Sequence, residues 1–511
     1  MLRLRVGVCW LSGLLFCAAV VSRATAQSKP ELRANRYLES VRKQPPLLHA
    51  FLKEMPKGAD LHVHLSGAIY AESFIDYAAE DGLCVDHTTS YLILPPCDPC
   101  EKYANKPAVA CAYKDHVLYG QMVDAWSMRN WLPGEESGHD HFFTTFDKFS
   151  LATRQHTGDM IAEAANRAGS DHLQYLELMH TADSGASIEL GGKIGWTDNL
   201  GEFRQKLLAG GLRDIVASTR KKLDDDEAKM RSDLKCRTPN AEPGCHVSVR
   251  YLYQVLRGMP PASVFAEILL GFELAQADPR FVGLNLVMPE DWYVPMHDFD
   301  LHMHMLDYLH EVYPKVHISL HAGELAPPLV TPEGLRFHVR ESVERGHAER
   351  IGHGVDVMYE SDPLQLLRQM ARKNVLVEIC LTSNDMILGV KGEDHPFPIY
   401  RKYGVPVTLA TDDQGVARSN ITAEYVRAAE TYKLSYADLK QLARQSLEHS
   451  FLAGSSLWAD LRKSRRIGAC AKDEAGSKAS ATCEKFLESN ERAKLQWKLE
   501  SEFAAFEKRV P

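Results

Sequence analysis

Basic charge is in short supply. The 511 residues carry 59 Lys and Arg against 68 Asp and Glu, a formal net charge of −9. Nucleic-acid binding wants a cationic face to neutralise phosphates, so that class of partner is disfavoured. The short run Lys463-Ser464-Arg465-Arg466 reads as a solvated face. Long apolar runs are scarce as well. Past residue 26 no stretch approaches the ~20 apolar residues of a membrane-spanning helix. There is no internal repeat and no low-complexity tract. What remains is ordinary globular composition, 45% hydrophobic and 25% charged, long enough for a large core.

The first 26 residues are expected to leave. Arg3 and Arg5 precede the apolar stretch Val6 to Val21, and Ala24-Thr25-Ala26 is a small-x-small cleavage site. That is the pattern of a secretory signal peptide, so the chain is expected in the periplasm or outside the cell. Cysteine usage agrees. Cys84, Cys97, Cys100 and Cys111 cluster, Cys236 and Cys245 bracket a turn-rich loop, and Cys470 and Cys483 bracket a polar segment. These eight suit four local disulfides in an oxidising compartment. The spacing leaves the pairing inside the first cluster open, and Cys97-x-x-Cys100 alone would also fit a metal or redox motif. Cys380 ends an apolar run and reads as a buried thiol.

Short apolar runs alternate with longer amphipathic stretches. The strand candidates are 59–64, 173–179, 248–253, 281–287, 316–321, 350–353, 375–380 and 406–411. Between them, 157–168, 262–277, 301–312, 335–346 and 363–373 carry apolar residues at helical spacing. Eight strand–helix units is the count of a (β/α)8 TIM-type barrel, with a doubly wound sheet as the alternative. The expected layout is a helical extension over 27–54, a barrel over 55–455 with insertions at about 86–140 and 184–245, and a helical segment over 456–511.

The chemical residues favour the barrel. Asp60-Leu61-His62-Val63-His64 ends the first strand candidate, and His321-Ala322-Gly323-Glu324 ends and follows the fifth. Gly352-His353-Gly354 ends the sixth, and Thr411-Asp412-Asp413 follows the eighth. Alone, each is weak: His-x-His is common, and an Asp pair often caps a helix. Together they place three imidazoles and a carboxylate at the C-terminal ends of three strands, with spare acid/base groups there and on a fourth. In a closed barrel those ends share one rim; in an open sheet they could not converge. Three His and one Asp are ligand chemistry for a single catalytic Zn²⁺. His302 and His304 lie two apart in a helical stretch and do not share a face. His180, His338 and His395 lack a partner pattern.

In this order, Met55 to His64, His321 to Glu324, Arg350 to Gly354 and Thr411 to Asp413 resemble the adenosine deaminase family of the amidohydrolase superfamily. The resemblance covers roughly 55–455. It is nearest to the secreted, adenosine-deaminase-related growth-factor-like branch. It implies that His62, His64, His321 and Asp412 bind one zinc ion. It implies that Glu324 protonates the purine at N1, that His353 orients and deprotonates the attacking water, and that Asp413 contacts N7. A homodimer through the N-terminal extension is implied in the same way. Three positions depart from the family pattern: Ser66 where an Asp contacts the ribose, Met288 where a Gly offers its N–H to the purine, and Gln414 where Pro is usual. Binuclear relatives carry a Lys on the fourth strand, and 281–287 has none, which implies one metal.

The leading expectation is zinc-dependent deamination of adenosine or 2′-deoxyadenosine. Ser66 and Met288 keep adenine or another 6-aminopurine open. A zinc hydrolase of amides or phosphoesters, and a secreted partner-binding protein with an idle barrel, are the readings from other classes.

Overall fold

A computed structural model describes residues 28–511 apart from 102, 103 and 135. The expected signal peptide lies outside the described residues. Eight strands form one sheet: β1 Gly58–His64, β2 Leu173–His180, β3 Ser248–Leu256, β4 Phe281–Val287, β5 His317–Ala322, β6 Arg350–His353, β7 Leu376–Ile379 and β8 Val407–Leu409. Each pairs in parallel with the next in chain order. The ring closes just past β8. Asp412 N–H donates to His62 O at 2.9 Å, and His64 N–H donates to Asp412 O at 3.3 Å. The fold is the expected TIM-type barrel, and all eight strand candidates are strands in it.

Strands buried on both faces need apolar residues outward and a filled interior. In β1, Leu61 and Val63 are fully buried among the helices, while Asp60, His62 and His64 point inward. The interior is layered. Phe451 plugs the N-terminal end, with the Arg350 guanidinium 3.8 Å from its ring centroid. Above it, buried Arg350 reaches Glu177 at 2.6 Å and Glu378 at 2.7 Å. Removing one member of such a buried network would strand a charge and cost about 3–5 kcal/mol. The top layer is the histidine cluster. Gly352 makes it possible: a Cβ there would lie 2.4 Å from His62 Cε1.

Helices Thr157–Ser170, Pro261–Ala277, Phe299–Val312 and Pro363–Lys373 form where helical spacing predicts them. The stretch expected as helix over 335–346 is helical only at His338–Glu344. Its start is set from outside, because Glu360 Oε1 accepts the N–H groups of Val339 at 2.7 Å and Arg340 at 3.1 Å. Residues 86–140 are not all loop. Asp115 accepts from the N–H groups of Val117 and Leu118 and starts a helix at His116–Ala125. Residues 184–245 hold helices Ala186–Ile194, Leu200–Leu207 and Arg213–Asp233. Beyond 455 come a small hairpin, Trp458–Asp460 with Arg465–Arg466, and the helices Ala481–Glu488 and Glu491–Arg509. The last of these packs with the N-terminal helix Lys29–Val41. No helix among the described residues is long and apolar enough to cross a membrane.

The disulfides are Cys84–Cys97, Cys100–Cys111, Cys236–Cys245 and Cys470–Cys483, and Cys380 is a free, buried thiol. Cys97 and Cys100 therefore bond to different partners, which removes the metal and redox readings of that motif. Thiol labelling of denatured, unreduced protein should find one reactive group among the nine cysteines after residue 26. Several more would mean that the chain does not mature in an oxidising compartment.

Candidate active site

The C-terminal rim gathers the predicted ligands. His62 Nε2 and His64 Nε2 lie 3.1 and 3.2 Å from His321 Nε2. Asp412 Oδ1 lies 3.6 Å from His62 Nε2 and 3.4 Å from His64 Nε2. Four ligands at 2.0–2.1 Å from one tetrahedral ion sit about 3.3 Å apart, so the spacing fits such an ion.

The outer ring nitrogens decide what the inner ones present. His62 Nδ1 is 2.7 Å from Glu378 Oε2, His64 Nδ1 is 2.8 Å from Gln254 Oε1, and His321 Nδ1 is 2.8 Å from Asn285 Oδ1. Asn285 Oδ1 also accepts the His321 backbone N–H at 3.0 Å, which fixes that amide as the acceptor. Each histidine thus donates outward and turns a bare Nε2 inward. Three lone pairs facing one another in a buried site repel, and a cation resolves the conflict. Burial lowers proton affinity at His62, but hydrogen bonds and charge from Asp412 and Glu378 outweigh it and raise its pKa to about 10. The cluster calls for positive charge at its centre. Sequence reasoning missed Gln254, Asn285 and Glu378; the only trace was a polar residue inside the candidates 281–287 and 375–380, and Gln254 falls just past the end of 248–253.

A second donor set, His62, His353, Cys380 and Asp412, also lies within 4.8 Å. It fits a metal less well. His353 has no outward acceptor on Nδ1, which instead faces the Asn384 amide nitrogen at 3.0 Å. Cys380 is buried, and burial pushes its thiol well above the usual range, with Asp412 adding to the shift.

Glu324 follows β5 on a turn whose Gly323 and Glu324 N–H groups donate to Glu290 at 3.0 and 2.8 Å. Its Oε1 is buried without a hydrogen-bond partner. Burial first, then the charges of Asp412 and Glu290, hold its carboxyl well above the usual range. Asp413 is similar: burial, then the Asp412 and Glu324 charges, raise it, and its Oδ1 is unpartnered. A Cβ on Gly67 would fall 1.5 Å from that oxygen, so Gly67 clears the space Asp413 occupies. Ser66 is half-buried beside it. Ser383 Oγ donates to Asp412 Oδ2 at 2.6 Å, and His353 Nε2 is 3.9 Å from the same oxygen.

Three non-glycine residues at this rim have left-handed backbone. His353 has φ 67°, Asp412 φ 56° and Met288 φ 88°. Left-handed non-glycine residues cost of order 1–3 kcal/mol and gather at functional sites. The turn at His353 brings its ring over the cluster, where strand alternation alone would send it outward. Met288 is held by Arg257, whose Nε and Nη2 donate to Met288 O at 3.2 and 3.1 Å, and its Sδ accepts the Gly258 N–H at 3.3 Å. The same guanidinium donates to His321 O at 3.3 Å, tying the Met288 turn to a ligand strand.

A model of the family described as adenosine deaminase matches residues 121–457, about two thirds of the chain. The chain belongs to the adenosine deaminase family. His62 and His64 precede the matched residues, and the barrel supplies their place in the site. Among curated adenosine deaminases, one from Clostridium perfringens is 34% identical over 135 residues, 26% of this chain and 37% of that protein. Such matches span little more than a third of those relatives' length. One from Clostridium botulinum is 24% identical over 417 residues, 79% of this chain and 95% of that protein. Among solved structures, Arabidopsis ADAL complexed with IMP has a TM-score of 0.52 and 20% identity, covering 81% of this chain and 95% of its own. Arabidopsis N6-mAMP deaminase has a TM-score of 0.50 and 19% identity, covering 79% and 96%. These structural likenesses carry the adenosine deaminase fold and nothing finer.

Proposed function

We propose that the chain is a zinc-dependent hydrolase of one metal ion that converts adenosine or 2′-deoxyadenosine and water to inosine or 2′-deoxyinosine and ammonia. One observation carries the reading: three outward-anchored histidines and Asp412 converge beside Glu324, a buried carboxyl that favours its acid form. His62, His64, His321 and Asp412 would hold the ion. Zinc there supplies the Lewis acidity that makes water nucleophilic near neutral pH. The 6-amino group of a purine is a poor leaving group, because its lone pair is delocalised into the ring. Attack at C6 pushes electron density onto N1, and Glu324 donates its proton there. His353 orients the attacking water, and Asp413 receives N7. The Met288 N–H meets the purine, and Ser66 hydrogen-bonds the ribose.

Met288 and Ser66 support a second reading of the same chemistry. A methionine fills the Gly258 side of the rim, and a neutral hydroxyl stands where a carboxylate would grip ribose, so adenine or another 6-aminopurine is the alternative substrate. Four disulfides support the secreted, growth-factor-like branch and an oxidising compartment. Metal-replete protein given adenosine should show the ultraviolet shift from adenosine to inosine. No turnover of adenosine, deoxyadenosine or adenine would sink the deaminase reading.

A further inference from the structure

Behind His353, two buried polar side chains lie outside the ligand set and its anchors. Asn384 sits in the helix Leu381–Leu388, and His395 precedes the helix Phe397–Tyr403. Both are essentially fully buried. The chain of hydrogen bonds that links them starts at a group that can only donate. Phe397 N–H donates to His395 Nδ1 at 3.1 Å. A neutral imidazole has one acceptor and one donor nitrogen, so His395 carries its proton on Nε2. Burial, with Arg427 nearby, lowers its pKa to about 4 and keeps it neutral. Nε2 lies 3.1 Å from Asn384 Oδ1, which accepts. The Asn384 amide must then turn its NH₂ the other way, and Nδ2 donates to His353 Nδ1 at 3.0 Å. Reversing the amide would set two donors against each other at His395, so a backbone N–H fixes the direction of the whole chain. Glu324 Oε1, 3.3 Å from the same His353 Nδ1, makes no hydrogen bond with it.

We propose that Asn384 and His395 are positioning residues that hold His353 with its proton on Nε2, so that His353 presents a hydrogen-bond donor to the attacking oxygen. What that donor does rests on the deaminase reading; the tautomer does not. With Nδ1 occupied as an acceptor, neutral His353 has no free lone pair on the side of Asp412. It grips the attacking oxygen and aims that oxygen's remaining lone pair at the carbon it attacks, a positioning role. His353 then takes no proton from the attacking water; that proton goes to the Asp412 carboxylate, whose Oδ2 lies 3.9 Å from His353 Nε2.

The test uses the zinc-loaded full chain with ¹⁵N-labelled histidine. Long-range ¹H–¹⁵N correlations show which ring nitrogen carries the proton, and the His353 signals are those absent from H353Q. The expected result is Nε2 protonated and Nδ1 bare. A proton on Nδ1 overturns the proposal, and this wild-type measurement decides even if a variant fails to fold. In N384D, a carboxylate that only accepts should move the proton to Nδ1. It should cut kcat by roughly 10²-fold while KM stays within about threefold, the loss expected when the attacking oxygen is misplaced. In H395L the Asn384 amide is free to turn and kcat should fall similarly. H395Q, whose amide still donates to Asn384 Oδ1, should recover most of that loss. Equal losses in H395L and H395Q, or an unmoved proton in N384D, would mean that the pair merely fills space. A wild-type protein that turns over no 6-aminopurine would defeat the deaminase reading while the tautomer measurement still stood.

Discussion

Glu324→Gln keeps its metal and its fold and loses turnover by roughly 10²–10⁴-fold, the usual worth of one general acid. Glutamine has the same shape, and the turn that carries it is held by its backbone. Gly323 and Glu324 N–H groups donate to Glu290, which the substitution leaves in place. Glu324 is absent from the convergent donor set, so zinc content by atomic absorption should match wild type. The environment already favours a neutral side chain at this position, since burial and the Asp412 and Glu290 charges all oppose ionisation. A neutral amide therefore causes no loss of thermal stability. What disappears is a proton deliverable to N1. Adenosine kcat/KM should fall chiefly through kcat, because the interaction develops as charge reaches the ring. The rival acid is Asp413, a buried carboxyl that is also held above its usual range. If Glu324→Gln turned over normally and Asp413→Asn did not, the two roles would have to be exchanged.

The rim of the barrel was legible because chemistry interrupts apolar strands at their ends. His62, His64, His321 and Asp412 follow runs of buried Leu, Val, Ile and Ala, and only a closed ring brings the first, fifth and eighth strands together. The layer beneath them was not legible. Glu378 is one charged residue in an apolar run, Asn285 is a single amide in its own, and Gln254 lies one residue past the candidate 248–253. Nothing local says that each meets a different histidine, because those pairings cross the barrel: Glu378 lies 316 residues from His62, and Gln254 190 from His64. His353 lies beside the cluster for a reason that alternation does not supply, since its left-handed backbone turns the side chain off the face the strand would give it. His395 had no partner pattern because its partner Asn384 is eleven residues away on another element. Residues 86–140 looked loop-like from their Cys and Pro content, which hid the cap at Asp115 and the helix it starts.

His62→Ala should lose both the metal and all measurable turnover, and the two losses should be separable from misfolding by their pH dependence. Removing one of four ligands leaves an incomplete set, and removing the imidazole strips Glu378 of its 2.7 Å partner. Glu378 still holds Arg350 at 2.7 Å, so no carboxylate is left wholly unpaired. The barrel should persist. Zinc that binds only the folded chain stabilises it by RT ln(1 + [L]/Kd), about 4 kcal/mol at a thousand times Kd. Chelation should therefore lower the melting temperature of wild type and leave that of His62→Ala unchanged. The metal-free wild type carries a further signature. Asp412 and Glu378 raise the His62 pKa above its unfolded value of 6.5, to about 10. A group raised on folding contributes stability that is complete below its unfolded pKa and is lost as pH rises towards its folded one. Chelated wild type should thus lose stability between about pH 6.5 and 10, and chelated His62→Ala should lack that component. Glu378→Gln makes the intermediate case: it keeps four ligands but weakens the hold on the His62 Nδ1 proton, and should weaken zinc affinity by about 10–100-fold. Zinc content equal to wild type in His62→Ala would remove His62 from the ligand set, and the shared rim of four strands would need another account.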